Sequence, residues 1–121
     1  MKVYFLLALC VIFPVFAQML MKKGMNQVGE FTSSNIFNLK FFVEAFSNPY
    51  VIMGEIFYVV TALFWLIVIS KLQVSKAYPA VSLSYVIVIL AGYFFLGEPL
   101  TMKKLLGGLI ILIGVYVIFS K

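Results

Sequence analysis

The chain has 121 residues, 64% of them hydrophobic and 11% charged, with a mean hydropathy of +1.15. An ordinary soluble domain is about 45–50% apolar and about 25% charged, and a chain this short leaves a large share of its surface outside any core, so lipid rather than water must be the main solvent. The net charge of +5 comes from lysine without a single arginine; it suits an anionic membrane surface and excludes the bidentate arginine readers of base edges, so no nucleic-acid partner is expected.

A spanning helix takes about 20 mostly apolar residues. The first is predicted over residues 3–21, closed by Lys22 and Lys23. Lys2, the apolar run and Val15-Phe16-Ala17 also fit a secretory signal, but the run continues through Met19, Leu20 and Met21, which favours a span. Cys10 is the only cysteine, so neither an intrachain disulfide nor a cysteine metal site is expected; a lipoprotein site there is disfavoured by bulky Leu9. Pro14 falls inside this helix and should bend it.

A polar, glycine-containing loop follows from Lys22, with Ser33 and Ser34 as caps for an amphipathic helix over residues 35–47. Ile36, Leu39, Phe42, Val43 and Phe46 form its apolar stripe, which predicts a helix lying in the membrane interface. The second span is predicted over residues 51–70 and the third over 77–96, with Pro79 in the third helix's first turn. The fourth covers 105–120, the shortest, extended by snorkelling lysines. Continuous apolar character argues for helices over barrel strands, which alternate. The expected fold is therefore all-α: one transmembrane domain of four helices plus the interfacial helix. Short connections around residues 71–76 and 99–101 make helices two to four antiparallel neighbours.

Helix parity puts Lys2, Lys71, Lys76 and Lys121 on one side and Lys22, Lys23, Lys40, Lys103 and Lys104 on the other. The positive-inside rule needs an asymmetry that this distribution lacks, as expected for dual insertion or for a topology set by a partner.

Ionisable and polar groups inside spans are functional candidates. Glu55, one turn into helix two, reads either as a proton, cation or head-group site or as a shallow carboxylate reaching the interface. Gln18 reads either as a substrate contact or as a bond between helices. Tyr78, Ser82 and Tyr85 recur at spacings of four and three, sharing one face that suits a polar cavity, although Tyr78 also suits an interface anchor. Gly107 and Gly114 share a face of helix four that fits either a dimer contact or packing within one chain. No histidine is present, and the four carboxylates are widely separated, so no enzymatic constellation, metal site or cofactor site is expected. A transporter and a non-transporting scaffold are the classes left.

The chain resembles four-helix (EamA-like) members of the drug/metabolite transporter superfamily. The resemblance rests on Gln18-Met19-Leu20-Met21-Lys22-Lys23, Phe64-Trp65-Leu66, the run from Ala77-Tyr78-Pro79 through Ser82, Tyr85 and Val86, Gly97-Glu98-Pro99-Leu100, and Gly107-Gly108 through Gly114. The run through Tyr78 and Ser82 is similar to the small subunits that flip aminoarabinose linked to undecaprenyl phosphate across the bacterial inner membrane. The related small multidrug resistance family uses a glutamate in helix one; counted back from Leu20-Met21-Lys22, that place is held by Pro14, which removes the proton-exchanging carboxylate and ranks proton-coupled export of cations second. The resemblance implies an inner-membrane flippase or transporter subunit, working as a homodimer or heterodimer on a lipid or lipid-linked substrate. On physical grounds a wet groove lined by Gln18, Ser82 and Tyr85 would shelter the head group, with Tyr78 and the carboxylates Glu55 and Glu98 as further candidate contacts, and basic residues at the mouths, Lys22, Lys23 or Lys103, would meet the phosphate.

Overall fold

A computed structural model of the chain describes residues 2–30 and 39–120. Six helices follow in order: α1 (Lys2–Val28), α2 (Leu39–Ser47), α3 (Pro49–Lys71), α4 (Val74–Val81), α5 (Leu83–Leu96) and α6 (Met102–Phe119). With α4 and α5 taken as one broken rod, four helices among the described residues are long and apolar enough to cross a membrane. The all-α fold read from composition is the fold observed, and the protein is a multi-pass membrane protein.

Three boundaries differ from expectation. α1 runs to Val28, through the polar stretch expected to be loop; a helix satisfies its backbone internally and need not stop where its side chains turn polar. The third span starts at Val74, so Pro79 falls inside α4 rather than in its first turn. Pro79, with no N–H, removes the donor that the Ser75 carbonyl would meet one turn earlier. Three residues on, the chain tightens into a turn in which the Ser82 N–H and hydroxyl both donate to the Pro79 carbonyl, and the span is interrupted at Ser82 before it resumes as α5. α6 begins at Met102, where Thr101 Oγ1 accepts the Lys104 N–H at 3.2 Å as an N-cap.

The core of the bundle is the antiparallel pair α1 and α3, which makes the most extensive helix contact. Residues spaced seven apart line the seam on both partners, mostly small ones: Cys10, Ala17 and Gly24 on α1, Gly54, Thr61 and the bulkier Val68 on α3. The Cys10 thiol donates weakly to the Thr61 carbonyl at 3.9 Å. A Cβ placed on Gly54 would lie 2.9 Å from the Ala17 carbonyl, and one on Gly24 would lie 2.7 Å from Val51 Cγ2. Ala17 and Val68 are wholly buried. In lipid, helices gain little from burying apolar surface against each other, so close backbone approach through small residues is what holds them. A seven-residue repeat also keeps the seam aligned as the helices coil.

The corner between α2 and α3 is held by Asn48. Its Oδ1 accepts the Tyr50 and Val51 N–H groups at 2.9 and 3.4 Å, while its Nδ2 donates to Gln27 Oε1 at 3.0 Å, tying the end of α1 to the start of α3. Asn48→Ala is expected to lower stability by about 1–2 kcal/mol, read as a lower midpoint in detergent unfolding. Asn48→Asp keeps the cap and should recover most of the loss.

α2 turns Phe41 and Ala45 toward the protein and leaves Leu39, Phe42, Val43 and Phe46 outward. The apolar stripe read from the sequence is thus on the side available to lipid. Ser33, Ser34 and Ile36, expected to open this helix, lie outside the described residues. α5 ends at Gly97, whose φ of +69° is the left-handed cap that a side chain disfavours. α6 packs on α5 and the end of α4, with Gly108 buried against Val86 and Ile89.

Candidate functional site

Depth along the helices locates the polar groups. Lys2 to Lys22 is twenty rises of about 1.5 Å, or about 30 Å, the thickness of a hydrocarbon core. Pro14 on α1 and Tyr58 on α3 therefore sit near the middle of the membrane, and Gln18 about 6 Å inside Lys22.

From this level toward the Lys71–Lys76 end, the α1–α3 seam opens on one flank into a cleft of about 230 Å³, lined by Cys10, Pro14, Tyr58, Thr61, Ala62, Trp65, Tyr78 and Val81. Trp65 and Tyr78 form one wall, ring to edge, with centroids 5.9 Å apart. Gln18 Nε2 donates to the Tyr58 hydroxyl at the edge of this wall. Pro14 supplies no N–H to the Cys10 carbonyl one turn earlier, and irregular backbone at such depth is tolerated where it faces protein or a wet cavity. Thr61 keeps its hydroxyl on its own helix, donating to Phe57 O at 2.7 Å. The cleft surface is thus aromatic and almost wholly apolar, with the Gln18–Tyr58 hydrogen bond beside it.

The predicted residues are only partly brought together. Tyr78 lines the cleft and Gln18 joins it through Tyr58. Ser82 is half-buried at the α4–α5 break with its hydroxyl turned to Pro79. Tyr85 is exposed on α5 beyond the break and does not line the cleft. The spacing of four and three that placed them on one helix face assumed an unbroken helix. Glu55 is exposed in a separate apolar groove with Phe46, Ile52, Ile56, Val59 and Val60. Glu98 folds back over the last turn of α5: its N–H donates to Gly92 O at 3.1 Å, and its carboxylate oxygen would sit 2.7 Å from a Cβ at Gly92. Lys22 is exposed near Met25, Asn26 and Glu30. Lys103 is exposed in the first turn of α6, while its neighbour Lys104 donates to Pro99 O at 2.7 Å. Among the described residues no three His, Cys, Asp or Glu side chains could hold a metal.

Tyr58 and Trp65 were missed as site residues by sequence reasoning. The available signal was Tyr58, Thr61 and Trp65 at spacings of three and four on one face of an otherwise apolar helix.

Four spans in one short chain, with an aromatic cleft opening beside the central helix pair, are the layout of a small membrane transporter. The chain belongs to the EamA-like transporter family, which matches residues 44–120. Among curated proteins it is 35% identical over 117 residues, 94% of this chain and 89% of the relative, to a probable 4-amino-4-deoxy-L-arabinose-phosphoundecaprenol flippase subunit ArnF of Serratia proteamaculans. It is 31% identical to the ArnF counterpart of Proteus mirabilis, covering 87% of this chain and 82% of that protein. A shorter match, 39% over 54 residues, covering 45% of this chain and 50% of the relative, links it to the ArnE subunit of Pseudomonas syringae. No solved structure gives a significant match to the chain.

Proposed function

We propose that the protein is one subunit of a small inner-membrane flippase that moves a polyprenyl-phosphate-linked sugar between leaflets. The observation that carries this reading is its similarity, over 94% of the chain, to an ArnF flippase subunit. The cleft supports it. A flippase shelters a polar head group at mid-depth while the lipid tail stays in hydrocarbon, and no bond need be made or broken. Trp65 and Tyr78 give flat faces for the C–H side of a sugar ring. Tyr58 and Tyr78 line the cleft and the Gln18 amide bonds the Tyr58 hydroxyl, which puts hydrogen-bonding groups within reach of a head group.

A second subunit belongs to the proposal. A cleft of 230 Å³ is smaller than the roughly 300–1,000 Å³ of common ligand sites, so a partner must complete it. α6 carries the surface for this: Gly107 and Gly114, spaced seven apart, have nothing within 4 Å of an added Cβ, and small residues on a lipid-facing helix suit close approach of a partner. That partner is another copy or a similar small subunit, with transport as rocking of one against the other.

The test is lipid movement in vesicles carrying the chain alone or with a similar small subunit, and a fluorescent prenyl-phosphate sugar in one leaflet. Movement should depend on the protein, and Trp65→Ala should slow it about tenfold, the effect of 1.4 kcal/mol of lost interaction. Vesicles that move no lipid but accumulate a quaternary ammonium compound against a proton gradient would replace this reading with cation export.

A further inference from the structure

A second opening lies on the other flank of the α1–α3 seam. It is a groove of about 440 Å³ between α1, α3 and α5, walled by Met19, Leu20, Phe57 and Phe95, with Ala91 in its α5 side. Tyr58 and its predecessor Phe57 thus face the two openings separately. Along α1 the groove runs from Val15 to Lys23, eight residues or about 12 Å.

Its one charged lining residue is Lys23, at the end where α1 leaves the hydrocarbon. The ammonium lies 4.8 Å from the centroid of the Tyr50 ring. A ring face steadies a cation without neutralising it, so the three N–H donors of Lys23 keep their full attraction for an anion. Among the described residues no carboxylate lines the groove. A trough that is apolar along its length and cationic at its interfacial end is complementary to a single apolar chain ending in an anion. Phosphate, with its higher charge, is the better match to a compact ammonium.

We propose that this groove seats the apolar chain of a phosphate-bearing lipid, with Lys23 as the contact to the phosphate. The inference rests on the lipid-flippase reading and gives it a seat for the chain next to the head group, distinct from the aromatic cleft.

The experiment measures binding of farnesyl phosphate, farnesol and inorganic phosphate to the purified full chain in detergent, by native mass spectrometry and titration. Wild type is expected to hold farnesyl phosphate and to bind farnesol more weakly, with equimolar inorganic phosphate not competing. Lys23→Gln should weaken farnesyl phosphate about tenfold and leave farnesol unchanged, while Lys23→Arg should retain binding. Ala91→Phe should block both prenyl ligands by filling the groove. Lys23→Gln, at an exposed position, is the decisive variant if Ala91→Phe unfolds. Unchanged affinity in Lys23→Gln, or displacement by inorganic phosphate alone, overturns the proposal. The vesicle assay separates this from the parent reading. Lipid movement with normal binding in Lys23→Gln sinks the groove alone; farnesyl phosphate binding without lipid movement in wild type sinks the flippase reading alone.

Discussion

Replacing Gly54 with valine is expected to break the α1–α3 pair and with it the fold. A Cβ at this position would lie 2.4 Å from Met21 Cγ and 2.9 Å from the Ala17 carbonyl. The methionine is flexible and can swing away, but the carbonyl belongs to a helix backbone and cannot move without shifting the whole of α1. Overpacking a tight contact costs about 1–3 kcal/mol in soluble cores. Here the cost should fall at the high end, because the seam has few alternatives: lipid tails compete equally well for apolar side chains, so close approach is most of what favours the helix pair. The measurement is unfolding in mixed detergent, with the yield of monodisperse protein as a second readout. Gly107→Val is the control. Nothing lies within 4 Å of that added Cβ, so the stability of one chain should change by less than about 0.5 kcal/mol, while association with a partner subunit should weaken. Equal stability of the Gly54 and Gly107 variants would mean that the small-residue seam does not hold the bundle.

The second large effect is expected on transport rather than on stability. Gln18→Leu removes the amide that donates to the Tyr58 hydroxyl. Hydrogen bonds between helices in membranes average about 0.6 kcal/mol, so unfolding should shift only slightly. The amide has a second N–H and a carbonyl that the Tyr58 bond does not use. Gln18 is exposed, so these groups are open to a ligand, a partner or interfacial water. If they meet the substrate head group, lipid movement should fall about tenfold or more while the fold persists, and Gln18→Asn, which shortens the reach, should give an intermediate rate. If the bond to Tyr58 only joins helices, Gln18→Leu and Tyr58→Phe should both transport at the wild-type rate. That outcome would remove Gln18 from the site and return it to the packing role that was open from the sequence.

Family membership and site geometry bear on different questions. The match to the EamA-like transporter family and to ArnF subunits covers most of the chain, whereas the resemblance read from the sequence puts Pro14 where the small multidrug resistance family keeps a glutamate. Glu55 does not restore that carboxylate to the cleft, since it lines another groove.

The sequence by itself determined the solvent, the number of spans and their antiparallel order. These follow from quantities that are additive along the chain: runs of apolar residues long enough for the hydrocarbon, lysines at their ends, and connections too short to cross back. The motifs around Tyr78, Gly97-Glu98-Pro99 and Gly107-Gly108 also carried the family without help from geometry. Which face of each helix meets which neighbour was not legible. A helix that is apolar all round has no amphipathic signal to orient it, so α3 could not declare Gly54, Thr61 and Val68 as its packing face, or Tyr58 and Trp65 as the wall of a cleft. Only the tertiary structure placed Cys10, Ala17 and Gly24 against that face. It also showed that Ser82 interrupts the third span, through a turn closed on the Pro79 carbonyl. Helix formation is local and periodic, so sequence reveals it; the pairing of faces is decided by steric fit between distant segments, and that fit exists only once the helices are side by side.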